Sequence, residues 1–162
     1  MSDTVIVYVT RNGHSRDLAL DLGSRLKATV HEIGDLAARK GILGWINAGR
    51  LASMKAATPI GDPGIDLGPI KTVVLVQPVW ASSVCPPLRS WLRAHAKDLA
   101  GKRLGMVASS YATQSDLVRT AFEGEYAAEL GALVACASVF QRATVAQKEM
   151  ILDDFVAELA RK

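Results

Sequence analysis

The chain has 162 residues, 49% of them hydrophobic and 22% charged, with 19 basic against 16 acidic side chains and a formal net charge of +3. That length favours one domain, taken as 1–162, with a single sizeable core, and the composition is that of an ordinary globular protein. No apolar run nears the ~20 residues of a membrane span, and Met1-Ser2-Asp3-Thr4 carries no secretory pattern. Lys and Arg are scattered among acids, with no dense basic run of the kind that nucleic acid requires. Cys85 and Cys136 form no metal or redox spacing; free thiols and the missing leader pattern lead to a cytoplasmic expectation.

Thr4 to Thr10 (TVIVYVT) is almost wholly apolar and β-rich, as in a strand buried on both faces. Leu18, Leu22 and Leu26 then recur at helical spacing, so residues 15–27 read as a helix. Thr29 to Ile33 is a short second strand. Residues 34–71 are a long connection for such an alternation, and within them 42–56 read as a helix bearing Trp45 and Ile46. Asp62, Pro63, Gly64, Gly68 and Pro69 form an irregular loop. Thr72 to Val76 (TVVLV) is a third strand, followed by a helix marked by Leu88, Trp91 and Leu92. Leu104 to Ser109 is the fourth strand, and Ser115 is the expected cap of the next helix, whose Leu117, Val118, Ala121 and Phe122 share a face. Leu133 to Phe140 is the fifth strand. Thr144 with Gln147 makes a capping box before a last helix with Ile151, Leu152, Phe155, Val156 and Leu159 on one stripe. Strands alternating with helices imply a parallel sheet covered on both faces, with right-handed crossovers.

Ligands of such sheets sit at the carboxyl ends of the strands, which singles out three loops. Thr10-Arg11-Asn12-Gly13-His14-Ser15 joins a buried strand to a helix N-terminus, where unpaired N–H groups and the helix dipole favour an anion. Thr10, Asn12 and Ser15 can donate to phosphate oxygens, Gly13 permits a tight turn, and Arg11 adds charge. The loop is neither a Walker A motif nor a dinucleotide fingerprint, and a plain polar turn with a Ser cap uses the same residue types. Pro78-Val79-Trp80-Ala81-Ser82-Ser83 puts a Trp at the end of a core strand, where it either covers something flat or forms the core's rim. Ser109-Ser110-Tyr111 is either a second aromatic flank or a polar surface loop. His14 is a loop histidine near the anion site, while His31 and His95 form no ligand spacing. Cys85 lacks the Cys-x5-Arg of a phosphatase, since Arg89 follows too closely. Thr10 and Pro78 stand where a phosphoacceptor receiver needs acids.

Taken together, these loops resemble the flavodoxin family. Thr10, Gly13 and Ser15 match its pattern Thr/Ser-x-Thr-Gly-x-Thr/Ser, with Asn12 in place of the middle Thr. Pro78-Val79-Trp80-Ala81 followed by Pro86-Pro87-Leu88-Arg89-Ser90-Trp91-Leu92 is similar to the flavin-flanking loop and helix of small FMN-binding flavodoxin-like reductases. Gly41 to Ala48 resembles the second helix of that branch. The likeness runs through the whole chain; it departs at Ser82, where the pattern has Gly, and in a third loop poor in Gly.

The resemblance implies an α/β fold, a flavodoxin-like doubly wound five-stranded parallel sheet of order 2-1-3-4-5. That order is flavodoxin's own, and the placement of FMN at the switch point between strands 1 and 3 follows from that precedent. It implies FMN phosphate at Thr10, Arg11, Asn12, Gly13, His14 and Ser15. The isoalloxazine ring is expected among Pro78, Val79, Trp80, Ala81, Ser82, Ser109, Ser110 and Tyr111, with Trp80 and Tyr111 on its faces. The flavin supplies the chemistry, so no catalytic acid, base or nucleophile and no metal is assigned. The expected activity is that of an FMN-dependent oxidoreductase whose redox partner is NAD(P)H, a quinone or an acidic electron-transfer protein. Two other readings stay open, a flavodoxin-type carrier with no substrate of its own and a binding module that has lost FMN. Family carriers are strongly acidic, whereas this chain has a pI of about 9.0. Arg11, His14 and Arg89 give the expected site a neutral to positive rim that disfavours basic partners. Residues 42–56 are expected beside the flavin edge or in a homodimer contact.

Overall fold

The structure, a computed structural model, describes residues 3–37, 43–44, 46–47, 50 and 54–161. Five strands form one parallel sheet: β1 (Thr4–Tyr8), β2 (Thr29–Glu32), β5 (Thr72–Pro78), β6 (Arg103–Ser110) and β7 (Ala135–Phe140). Their order is β2-β1-β5-β6-β7, which is 2-1-3-4-5 when these five are counted in chain order. Every pairing in this sheet is parallel, with Ile6 opposite Val74 and Val74 opposite Gly105. A second, two-stranded antiparallel piece pairs β3 (Gly34–Asp35) with β4 (Ile60–Gly61) and ties together the two ends of the long connection.

Period-two alternation sends each central strand's side chains to two different cores. Val5, Val7, Val73, Leu75, Leu104 and Met106 share one cluster with Leu88, Trp91, Leu92, Phe122 and Tyr126. Those partners lie on α2 (Pro86–Ala94) and α4 (Ser115–Leu130); the short α3 (Ala96–Leu99) adds Leu99. Ile6, Tyr8, Val74, Val76 and Val107 join Leu18, Leu22, Leu152, Phe155 and Leu159 on the opposite face. These belong to α1 (His14–Leu26) and α5 (Val145–Ala160). The central strands are thus apolar on both faces because both faces carry helices. Gly105 permits one of these contacts, since a Cβ there would stand 2.9 Å from both Phe155 Cζ and Leu159 Cδ1.

Several boundaries differ from the sequence reading. β1 ends at Tyr8 instead of Thr10, although Val9 N–H still donates to Val76 O at 2.9 Å. β5 runs two residues past Val76, and β7 starts at Ala135 rather than Leu133. Ser115 is not a cap: Gln114, in an extended conformation, precedes the helix without a side-chain cap and Ser115 opens it. The capping box at Thr144 is present in both directions, at 3.2 Å from Gln147 N–H and 2.9 Å from Thr144 N–H. In the 42–56 segment Leu43, Gly44, Ile46, Asn47 and Arg50 are helical, whereas Met54 and Lys55 already form a turn. Lys55 has a φ of 52°, a left-handed conformation that stops a helix short of 56. Trp45 lies outside the described residues. No described helix is long and apolar enough to cross a membrane.

Candidate functional site

Three strand ends converge at the carboxyl edge of the sheet. β1 runs into the 10–15 loop, β5 into Val79–Ser83 and β6 into Tyr111–Gln114. The last two are joined at their base by a hydrogen bond from Val79 N–H to Ser109 O, 2.9 Å. Between these loops lies a cavity of about 600 Å³, within the ~300–1,000 Å³ range of small-molecule sites. One wall is Pro78, Val79, Trp80 and Ala81; another is Ser109, Ser110 and Tyr111; Arg11 and Asn12 close the β1 side. Ile46 and Arg50 from the long connection and Gln141 after β7 complete it.

The first loop is shaped by its own hydrogen bond: Gly13 N–H donates to Thr10 Oγ1 at 3.0 Å. The Thr10 hydroxyl proton is thereby left available to an acceptor. Gly13 has a φ of 94°, which a side chain would resist, and it precedes α1 without any side-chain cap. The N–H groups of the first helical turn are therefore not occupied by a capping side chain, and the positive end of the helix dipole faces the loop. Ser15 is buried inside α1 and is not a cap. His14 is the first residue of α1 and lines, with Asp17 and Lys148, a separate cavity of about 120 Å³. The two cavities share Ser109 and Gln141. Below the loop the Tyr8 hydroxyl donates to Glu32 at 2.8 Å. Burial, then Glu32, pushes that hydroxyl up to about 12.

The second loop holds a tight turn. Ala81 and Ser82 have φ of 51° and 52°, and Ser83 N–H closes the turn on Trp80 O at 3.1 Å. Two successive left-handed residues define a type I′ turn, normally built from Gly or Asn. Ser82 thus adopts the backbone that Gly would take at that place. Its side chain is exposed and does not line the cavity. Trp80 is 8% exposed and packs in the core cluster as well as forming cavity wall. It is therefore both rim of the core and face of the site. Gln77 braces this loop from beneath, its Oε1 accepting from Cys85 N–H at 2.8 Å.

In the third loop Ser110 Oγ donates to Thr113 O at 3.0 Å, and Ser138 Oγ donates to the same carbonyl at 2.6 Å. Ser110 therefore spends its hydroxyl on the loop rather than on the cavity. Tyr111 is 71% exposed and lines the cavity at its mouth.

Of the residues singled out in the sequence, the cavity brings together Arg11, Asn12, Pro78, Val79, Trp80, Ala81, Ser109, Ser110 and Tyr111. Thr10, Gly13, His14, Ser15 and Ser82 are not in its lining. Arg89 leaves the rim altogether: it is fully buried and paired with Glu125. Ile46 and Arg50 come from the 42–56 segment that was expected beside the flavin edge or in a dimer contact, where Ile46 was named and Arg50 was not. Gln141 was missed, and its position just past the fifth strand was the signal for it. Among the described lining residues there are two cations, Arg11 and Arg50, and no carboxylate. No group of His, Cys, Asp and Glu able to hold a metal is found among the described residues.

No protein-family profile and no curated protein matches the sequence. Solved structures do. A candidate flavoprotein from Bacteroides eggerthii superposes with a TM-score of 0.77 at 17% identity, covering 98% of this chain and 98% of that one. A flavoprotein from Lactobacillus acidophilus, solved in complex with FMN, gives 0.71 at 14% identity over 96% of this chain and 99% of that one. Oxidised Flavodoxin 1 from Bacillus cereus gives 0.58 at 15% identity over 96% and 95%. The chain has the flavodoxin-like fold.

Proposed function

We propose that the cavity holds FMN and that the protein is an FMN-dependent oxidoreductase served by an anionic reductant. The observation that supports this most is the make-up of the walls. An apolar slot bearing Trp80 and Tyr111 opens beside an uncapped helix start, and the only charges among its described lining residues are the cations Arg11 and Arg50. A flat aromatic ligand carrying a phosphate matches that set, and one structural neighbour was solved with FMN. Asn12, Arg11, the Thr10 hydroxyl and the first-turn N–H groups of α1 would hold the phosphate. Trp80 and Tyr111 would cover the ring, while Pro78 and Val79 exclude water from its edge. When bound, FMN supplies one- and two-electron redox chemistry. The chain's part is to bind, orient and set the electrostatics, and Arg11 with Arg50 favours negative charge gathering in the cavity.

The same two cations select the partner. An anionic nicotinamide cofactor or an acidic electron-transfer protein suits this mouth, a neutral quinone acceptor is not repelled by it, and a basic partner is disfavoured. Titration of the apo-protein with FMN and with riboflavin tests the site, since tighter binding of FMN is expected and equal affinity would rule out a phosphate subsite. Stopped-flow mixing of the FMN-loaded protein with NADH or NADPH, with and without a quinone, tests the activity. Reduction by a one-electron protein donor with no reduction by either nucleotide would replace the reductase by a carrier. Cys85 is buried, and burial pushes the Cys136 thiol up to about 12, in keeping with cysteines of low reactivity.

A further inference from the structure

We infer that Arg89 and Glu125 form a positioning pair that fixes the spacing of two cavity walls. The pair's effect on affinity rests on the FMN reading, but its effect on the walls does not. Arg89 is not among the residues that line the cavity. It stands fully buried on α2, and its guanidinium is bonded to three separate stretches of chain. Nε donates to Glu125 Oε1 at 2.6 Å and Nη2 to Glu125 Oε2 at 3.2 Å, a bidentate pair with α4. Nη2 also donates to Ser83 Oγ at 3.2 Å, and Nη1 to Ala56 O at 3.0 Å.

Those last two acceptors lie outside the lining, next in sequence to segments that supply different walls. Ser83 closes the strained turn at Ala81 and Ser82, behind Trp80. Ala56 lies where the connection returns after presenting Ile46 and Arg50. One planar cation, whose donors point in fixed directions, therefore sets how far the Trp80 wall stands from the Arg50 wall. Glu125 holds that plane, and its side chain is only 11% exposed. Arg93 reinforces the arrangement, reaching Lys55 O at 3.2 Å and Glu125 at 3.8 Å. Stability alone is a poor account of this construction, because a buried ion pair is often replaceable by apolar side chains without loss. Geometry is what such a replacement cannot reproduce.

That difference supplies the test. R89M/E125L puts apolar side chains of similar volume in place of the pair. Amide exchange is followed in the apo full-length chain, and FMN affinity by titration. Exchange at the Ser83 amide is expected to speed up about tenfold with the β6 amides of Met106 and Val107 unchanged, and the FMN Kd to rise about tenfold. Parent-like exchange at Ser83 overturns the inference, and so does faster exchange with an unchanged FMN Kd. If the parent protein takes no FMN, the FMN reading falls while exchange at Ser83 alone still decides the pair. Should the double variant not fold, Ser83→Ala, which removes only the acceptor on the turn, is expected to accelerate exchange there severalfold; parent-like exchange would overturn the inference.

Discussion

Ser82 sits in the left-handed region with a φ of 52°, next to Ala81 at 51°, and both side chains are exposed. A left-handed conformation costs an L-residue roughly 1–2 kcal/mol, of which Gly's extra chain entropy returns part. Ser82→Gly is therefore expected to stabilise the apo-protein by about 1 kcal/mol, or about 2–4 °C in Tm, measured by calorimetry. The strain sits beside the cavity, as backbone strain at ligand sites tends to. Trp80 serves two purposes, so Trp80→Ala should lower both stability and FMN affinity. Loss of the stack itself should cost about 0.5–1.5 kcal/mol of binding beyond lost area, with flavin fluorescence rising. Unchanged FMN affinity and quenching would leave Trp80 as core alone.

Among the elements, α2 does more than cover the sheet. Its polar side and its end receive the returning connection: Ser90 Oγ donates to Thr58 O at 2.6 Å and accepts from Thr58 N–H at 2.8 Å. Just past its end, His95 meets Asp62 at 2.6 Å, with its ring tilted against Trp91. Burial alone raises the Asp62 carboxyl, but the Gly64 amide and then His95 outweigh it, and the net shift is downward. A depressed carboxyl contributes stability above its unfolded pKa and loses it as pH falls through the folded one. Asp62→Asn should thus melt earlier than the parent near neutrality. The gap should close as pH drops below the ordinary carboxylate range, and thermal melts across pH check it; a gap that persists in acid would remove the linkage. On the other face of the sheet, Gly105→Ala forces its Cβ against the Phe155 ring. Overpacking of that kind costs roughly 1–3 kcal/mol, readable as a shifted denaturation midpoint.

At the level of the whole molecule, the proposed choice of partner rests on charge. The net charge of +3 is mild, yet its distribution matters more: the charged side chains among the described lining residues of the cavity are Arg11 and Arg50. Arg50→Glu is expected to slow flavin reduction by NADPH about tenfold at low salt, with the difference shrinking as salt rises past the ~10 Å screening length of 0.1 M. Equal rates for variant and parent at low salt would free the mouth of any role in steering.

The β/α alternation, the strand order through the family likeness, and the loops that end β1, β5 and β6 are legible in the residues alone. Those signals are local: β-branched runs, helical stripes of Leu, and aromatic or glycine residues at strand tips. The Thr144–Gln147 capping box was legible for the same reason, since both partners lie within one turn. The features that emerge only on folding involve groups distant along the chain. Arg89 reads as a rim cation in sequence, because Glu125 lies in another helix and nothing local shows that the two will be buried together. Arg50 reads as one more basic residue in a long connection until the connection folds back over the switch point. Trp80 presented a choice between core and site, and its placement between the α2 core and the cavity shows that packing allows both.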